Sequence, residues 1–224
     1  MLSRLDPSMF NRIFTYSEYL EFITSLVAKG LSSGPDQSEK LTHFTKLNFQ
    51  RLKRIYKTLQ LSARIPTIVK DIESDMLWVV IVESWCGDVP QSIPYMEAIS
   101  QLSDKIKFRI ILRDQNPRIM DRFLTNGTRS IPKLICLNPK TFEVVGTWGP
   151  RPEGARNLVK TMLGDPAITA DMRKEAVQRW YMENKGQELM DELGAMVQTW
   201  DGILLDQHLT DAEYGKLNVN RLLI

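Results

Sequence analysis

Residues 77–90 read LWVVIVESWCGDVP, an apolar run that leads through a short polar turn to a single cysteine. The first six residues are apolar and mostly β-branched, which is typical of a strand buried on both faces of a sheet. A helix is predicted from about Pro90, so Cys86 is expected at a helix N-terminus. Unpaired backbone amides and the helix dipole favour a thiolate there, and the segment therefore predicts a nucleophilic cysteine with a lowered pKa.

The segments downstream of this stretch alternate between strand and helix patterns. Further strands are predicted at residues 107–112 (KFRIIL), 133–137 (KLICL) and 143–148 (EVVGTW). Helical patterns cover residues 90–102, 117–124 and 153–162. The turn NPKT at 138–141 predicts that the last two strands form an antiparallel hairpin. This order indicates an α/β fold in which βαβ units and a hairpin share one sheet.

Helical patterns also precede this region. A capping box at Thr15 and Glu18 begins an amphipathic helix. A second helix is predicted at 39–61, and its apolar face comprises Leu41, Phe44, Leu52, Ile55 and Leu59. Eight Lys or Arg and no Asp or Glu lie between residues 40 and 70. That basic side either docks an acidic partner or phosphates, or is a solvated helix face, which is the more common case.

The region after residue 164 is predicted to be helical to about residue 200. Its buried side is expected to comprise Met172, Trp180, Leu193, Met196 and Trp200. Gly186 is a candidate position for a kink. The tail at 201–224 has weak periodicity and is either a loose extension or an oligomer contact.

The segment Trp85-Cys86-Gly87 resembles the start of the thioredoxin motif tryptophan-cysteine-glycine-proline-cysteine. Pro94 matches the proline that kinks the first active-site helix of that family. The segment RSIP at 129–132 resembles the family's segment before a core strand, where the Ile-Pro bond is cis and the proline faces the cysteine. Together with ESWCGD and ILRDQN, the chain looks closest to an uncharacterised bacterial thioredoxin-like family.

This resemblance implies a thioredoxin fold, a central mixed β-sheet flanked by helices, over residues 65–164. Residues 1–64 are then an N-terminal helical extension, and residues 165–224 are a C-terminal helical extension that packs on the core. The resemblance also implies that the Ile131–Pro132 bond is cis and that Pro132 lies against Cys86.

The chain departs from the thioredoxin motif at three positions. Val89 replaces the second cysteine, Asp88 replaces the proline before it, and Val80 replaces the family's buried acid. A two-cysteine reductase cycle therefore cannot run within this chain. Cys136 is no substitute, since four strand residues place it about 13 Å from Pro132, whereas a disulfide needs Cα atoms within about 7 Å. It is expected to be a buried core cysteine.

Two interpretations of the function follow. In the first, Cys86 is the nucleophile of a monothiol disulfide oxidoreductase, and an external thiol resolves its mixed disulfide. In the second, the groove between Trp85–Cys86 and Ile131–Pro132 binds an extended peptide, and the protein is a binding module or redox sensor. Under either interpretation, the residues expected to contact substrate are Trp85, Gly87, Asp88, Ile131 and Pro132. Arg129 either forms a surface ion pair or steers an anionic thiol.

Composition narrows the classes of partner. The net charge of +2 does not suggest nucleic acid, and no apolar run is long enough for a transmembrane helix. Two cysteines fit a reducing compartment, so a cytoplasmic location is expected. His43 and His208 lack metal-ligand spacing, and neither a metal nor a cofactor is expected. The expected partner is a disulfide-containing protein or a low-molecular-weight thiol, and the oligomeric state is left open.

Overall fold

The structure is a computed structural model that describes residues 4–208 of the 224 residues. Its elements follow one another in the alternating order that the sequence predicts from residue 76 onward. In chain order they are β1 (Ile13–Phe14), α1 (Tyr16–Ala28), α2 (Glu39–Thr58), α3 (Arg64–Lys70), β2 (Met76–Val82), α4 (Val89–Ser100), β3 (Ile106–Leu112), α5 (Pro117–Met120), β4 (Lys133–Leu137), β5 (Val144–Trp148), α6 (Glu153–Leu163), α7 (Ala170–Asn184) and α8 (Gln187–His208).

The five strands of the described chain form one mixed sheet in the order β1-β3-β2-β4-β5. The central strand β2 pairs parallel with β3 and antiparallel with β4, and all seven of its residues are buried. Strands β4 and β5 form the predicted antiparallel hairpin. β1 pairs antiparallel with β3 and was not predicted, because two residues are too few to show a periodicity.

The N-terminal helices differ in part from the prediction. The capping box at Thr15 and Glu18 is confirmed by both of its hydrogen bonds. Helix α2 ends at Thr58, and the short helix α3 at residues 64–70 was missed. The buried residues of α2 are Thr45, Asn48, Phe49 and Leu52. Of the five predicted apolar-face residues only Leu52 is buried, because the helix turns a partly polar side towards α4 and the turn before it.

The predicted single helix after residue 164 is in fact two helices. The chain leaves α7 through Lys185 and Gly186, both at positive φ, and re-enters helix in α8. Met172 was expected to be buried but is 50% exposed, because α7 presents Val177 and Tyr181 to the protein instead. Helix α8 extends into the tail as far as residue 208, and the tail residues 209–224 lie outside the described residues.

Helix α8 covers the sheet face that carries Trp78, Cys136 and Gly146. The Trp200 ring meets the Trp78 ring edge to face with centroids 6.0 Å apart, and it also fills the space where Gly146 lacks a side chain. Cys136 lies fully buried in this layer, and both cysteines are free, as predicted.

Three carboxylates of α8 accept backbone N–H groups from other elements. Glu192 accepts from Glu153 N and Glu188 from Gly154 N, at 2.6 and 2.8 Å, so α8 caps the first turn of α6. That turn has no side-chain cap of its own. Asp201 accepts the N–H groups of Glu73 and Ser74, which lie just before β2. Helix α8 is therefore bonded both to the start of α6 and to the turn that leads into the central strand β2.

No helix within residues 4–208 combines the length and the apolar character needed to cross a bilayer.

Candidate functional site

Cys86 lies in the turn between the end of β2 and the start of α4, where the sequence predicts it. Its Sγ donates a hydrogen bond to the carbonyl of Ile131 at 3.3 Å. The Ile131–Pro132 bond is cis, as the resemblance implied. The structure therefore brings together the two segments that the sequence singles out, 85–88 and 131–132.

Asp88 is positioned by an arginine that the sequence analysis did not single out. It occupies the N-cap position of α4, yet its side chain makes no capping bond, because it turns to Arg151. Asp88 Oδ2 lies 2.6 Å from Arg151 Nη2, and the Asp88 side chain is only 9% exposed. The result is an almost buried ion pair two residues from the thiol.

The loop that supplies Arg151 lies directly against the Ile131–Pro132 segment. Gly149 has a φ of +116° and precedes a second cis bond, to Pro150. A Cβ on Gly149 would collide with the carbonyl oxygen of Pro132, so only glycine allows the two backbones to approach this closely. Arg151 is thereby placed beside the Cys86 turn.

The pKa of Cys86 is raised, contrary to the prediction from its helix position. Burial of the thiol and the nearby Asp88 carboxylate raise the pKa to about 12. The backbone N–H groups of Asp88 and Val89 and the Arg151 guanidinium act in the opposite direction. The helix effect that the sequence predicts is present, but the 9% exposure of the residue makes desolvation the larger contribution.

Helix α7 covers the Cys86 turn from the solvent side. Gln178 donates to the carbonyl of Gly87 at 3.3 Å and accepts from Gln91 of α4 at 2.9 Å. Tyr181 is buried close to Asp88, and burial together with that carboxylate raises the pKa of its phenol. A protein chain therefore cannot reach Cys86 across this side without displacing α7.

A cleft remains between α2, α7 and the Cys86 turn, with a volume of about 1070 Å³. We call it the Cys86 cleft, and it reaches Trp85, Cys86, Gly87 and Asp88. Its apolar lining includes Leu41, Phe44, Val177 and Met182, and its cations are Lys40, Arg51, Arg151, Arg173, Lys174 and Arg179. Ile131 and Pro132 lie behind Cys86 and do not line it. Leu41 and Phe44, which belong to the predicted apolar face of the helix, are thus cleft residues.

Trp85 is half-buried at the edge of the Cys86 cleft. The Arg113 guanidinium lies 4.7 Å from the centroid of its ring, a cation–π contact that holds the indole in place. Gly87 is overlaid by Gln178 and by Arg51, whose Nη1 would lie 3.9 Å from a Cβ added at that position. A side chain at Gly87 would therefore reduce the space between α2 and the Cys86 turn.

A buried polar network fixes the turn from the other side. Ser84 N donates to Ser33 Oγ at 2.8 Å, and Ser84 Oγ bonds to Thr45 Oγ1 at 2.8 Å. Asn48 donates to the Ser84 carbonyl at 3.0 Å. The carboxylate of Glu83 accepts from Ser33 Oγ and from Asp114 N, and burial raises its pKa. Glu83 is thus a buried acid near Cys86, but its oxygens are engaged away from the thiol.

Sequence reasoning identified the turn and missed what covers it. Arg129 forms the surface ion pair that was one of its two interpretations, with both of its bonds going to Asp121. Asp88 of the turn instead pairs with Arg151. Arg51 comes from the basic side of α2, for which the sequence left both a docking role and a solvated face open. The Gly-Pro-Arg sequence after β5 was the available signal for Arg151; Gln178 had none.

Within the described range 4–208, no group of three or more His, Cys, Asp or Glu side chains is arranged to hold a metal ion.

No curated protein matches the chain. Among solved structures, a protein of unknown function from Pseudomonas aeruginosa is 16% identical with a TM-score of 0.47, over 89% of this chain and 99% of that one. An HIV epitope-scaffold is 15% identical with a TM-score of 0.44, over 84% and 98%. At these scores neither similarity carries functional meaning.

The family comparison is more informative. A family model described as thioredoxin matches residues 34–167, which is more than half of the chain. The match includes the whole segment from α2 to α6, with Cys86, the cis Ile131–Pro132 bond and Arg151. The mixed sheet with its flanking helices is accordingly a thioredoxin fold with added helices at both ends, and the chain belongs to this thioredoxin family.

Proposed function

We propose that this protein carries out single-thiol exchange with small disulfides that enter the Cys86 cleft. The observation that carries the proposal is the position of the Cys86 sulfur. It lies at the start of α4, faces two backbone N–H groups, and borders the cleft. A second cysteine is absent at position 89, so an external thiol completes the cycle.

The cover provided by α7 favours small substrates over protein disulfides. Gln178 bonds to Gly87, and Asp88 is paired with Arg151, so the surface beside the turn is already occupied. A disulfide of a few hundred cubic ångströms fits the Cys86 cleft, since its volume of about 1070 Å³ is typical of small-molecule sites. An extended peptide backbone would require α7 to move away.

The proposed reaction has two balanced steps. Cys86 attacks one sulfur of a disulfide RSSR, the S–S bond breaks, and the leaving thiolate takes up the proton that Cys86 releases, which gives Cys86–S–SR and RSH. A second low-molecular-weight thiol, R′SH, then attacks the mixed disulfide, the S–S bond to Cys86 breaks, RSSR′ leaves, and the proton of R′SH passes to Cys86. The net reaction is RSSR + R′SH → RSSR′ + RSH. Because the pKa of Cys86 is raised to about 12, the first step is slow at neutral pH and accelerates as the pH rises.

The test uses 2,2′-dithiodipyridine, a small neutral disulfide that releases one coloured thiopyridone per exchange. Native protein should release one equivalent, and peptide mass spectrometry should place the adduct on Cys86. Cys86→Ser should release none, whereas Cys136→Ser should behave like the parent. The proposal fails if the native protein does not react while the unfolded protein reacts at both cysteines.

A second candidate function is a binding module in which Cys86 stays a neutral thiol. The observation in its favour is the hydrogen bond from Cys86 Sγ to the Ile131 carbonyl, which requires the protonated form. The two functions differ in their pH response. Exchange predicts that the modification rate of Cys86 rises with pH, whereas a binding module with a shielded thiol predicts a rate limited by opening of α7 and independent of pH.

A further inference from the structure

We infer that the Cys86 cleft selects disulfides and thiols that carry carboxylate groups, and that Arg51 and Arg151 are the residues that bind the carboxylate. This inference rests on the proposed function, since it names the class of small molecule that the cleft takes. Its basis is two guanidinium groups beside the Cys86 turn whose hydrogen-bonding capacity is only partly used.

Arg51 is the first of the two. It projects from α2 over Gly87, next to Cys86, and its one hydrogen bond is from Nη1 to Asn48 Oδ1 at 3.3 Å. Among residues 4–208 no carboxylate lies within ion-pair distance of it. Its partial burial lowers the pKa of the guanidinium, with the neighbouring Arg54 adding to the effect. A partly desolvated cation without an anion is stabilised by an anionic ligand.

Arg151 is the second. Its Nη2 pairs with Asp88, but its Nε is buried and has no hydrogen-bond partner within the described part of the chain. This Nε is closed off from the cleft, but the Arg151 side chain as a whole is 30% exposed and lines it. The exposed N–H groups of the guanidinium can therefore donate to a carboxylate oxygen of a bound molecule, and the positive charge has room for a second anion.

The balance of charge around the Cys86 cleft also favours an anionic ligand. Six cationic side chains line it against three anionic ones, Asp88, Asp171 and Glu175. Two of these three are already engaged, Asp88 with Arg151 and Asp171 with Lys174 at 2.7 Å. The cleft therefore presents an excess of positive charge beside an apolar lining that includes Phe44 and the buried Val177, which suits a small anionic molecule with an apolar body.

The experiment compares a neutral and an anionic aromatic disulfide, and it compares each variant with the parent, so that the difference in size between the two disulfides cancels. Dithiodipyridine is neutral, and 5,5′-dithiobis(2-nitrobenzoate) carries two carboxylates. The quantity measured is the ratio of their rate constants with native protein, in which changes in the reactivity of Cys86 itself largely cancel. The ratio is taken as the rate constant of the dicarboxylate divided by that of dithiodipyridine. Arg51→Gln and Arg151→Gln should each lower this ratio by about tenfold, which corresponds to the loss of one interaction worth ~1.4 kcal/mol. Arg54→Gln is the matched control, because Arg54 lies on the same helix and lines a different cavity.

The outcomes separate this inference from the proposed function. If dithiodipyridine reacts and the ratio is the same in the parent and both Gln variants, the carboxylate site is refuted and exchange stands. If dithiodipyridine does not react, exchange is refuted, and calorimetry on Cys86→Ser decides the site. That variant should bind the dicarboxylate, and adding Arg51→Gln should weaken binding about tenfold, whereas absence of binding would overturn the inference.

Discussion

The Asp88 carboxylate acts on two neighbouring groups, the Arg151 guanidinium and the Cys86 thiol. Its carboxylate pairs with Arg151, and the same charge helps to hold the nearby Cys86 thiol in its protonated form. The family's proline at this position carries no charge. The aspartate therefore gives the turn an ion pair and at the same time limits the nucleophilicity of the cysteine.

Replacing Asp88 with Asn should lower the pKa of Cys86. The change removes the carboxylate that raises it and leaves Arg151, which lowers it, without its partner. For each unit of decrease the thiolate fraction rises about tenfold and its intrinsic reactivity falls about threefold, so the rate of alkylation by iodoacetamide at pH 8 should increase about threefold or more. Arg151→Gln should slow the reaction, and Asp121→Asn, at the surface, is the control. An unchanged or slower rate in Asp88→Asn would contradict the assigned role.

Replacing Val89 with Cys should convert single-thiol exchange into a two-thiol reaction. Val89 is the first residue of α4 and is 1% exposed, so a smaller cysteine fits and lies three residues after Cys86. The second thiol should attack the mixed disulfide and close an 86–89 bond. Dithiodipyridine should then release two thiopyridones per chain instead of one. Val89→Ala, the size control, should release one. A single equivalent from Val89→Cys would show that the two sulfurs cannot meet.

The residues within one turn of Cys86 were predictable because their chemistry is local. The strand, the cysteine and the helix start are consecutive in sequence, and the cis bond at Ile131–Pro132 was implied by the resemblance of the segment at 129–132 to the thioredoxin family. Arg151, Gln178 and Arg51 were not predictable, since each reaches the turn from a distant element and lies in a segment with no distinctive pattern. The predicted direction of the Cys86 pKa shift was wrong for the same reason, because the shift depends mainly on burial of the thiol in the folded protein, which no local motif encodes.

The junction of α7 and α8 shows how one glycine orients two helices. Gly186 has a φ of +78°, and the space where its side chain would lie is filled by the Tyr95 ring. The Tyr95 hydroxyl also donates to the Lys185 carbonyl at 2.8 Å. The helical periodicity continues through this point, which is why the sequence predicts one kinked helix and the structure has two.

Replacing Gly186 with Ala should therefore destabilise the protein through two separate effects. The positive φ costs about 1 kcal/mol in any non-glycine residue, and the collision with Tyr95 adds about 1–3 kcal/mol. Gly30→Ala isolates the first effect, since Gly30 has a φ of +64° and open space around it. Urea unfolding should show a clearly larger loss for Gly186→Ala. Equal losses at the two positions would mean that α7 can shift away from Tyr95 at little cost.

Helix α8, the last helix within residues 4–208, connects several parts of the molecule. Through Glu188, Glu192 and Asp201, α8 satisfies backbone groups in α6 and just before β2, and through Trp200 it covers the sheet. The family match ends at residue 167, before α7 begins. The added helices thus complete the hydrogen bonding of the thioredoxin core.

Asp201→Ala should reveal this contribution. The change leaves the N–H groups of Glu73 and Ser74 without their acceptor, and Ser74 is only 1% exposed. A buried donor left unpaired costs about 1–3 kcal/mol, which urea unfolding can resolve. Asp191→Ala, on the exposed side of the same helix, should change stability little. A loss below about 0.5 kcal/mol at Asp201 would mean that water replaces the carboxylate.

The bonds between Asp201 and the turn before β2 have a consequence for the nascent chain. The hydrogen bond to Ser74 spans 127 residues of sequence. At a synthesis rate of about 5–20 residues per second, roughly 6–25 s separate the emergence of its two ends from the ribosome. Throughout that interval α8 is not yet available to cover the Trp78 face of the sheet. The strands can pair early. Until translation has passed Trp200, however, this apolar face is open to aggregation with other molecules.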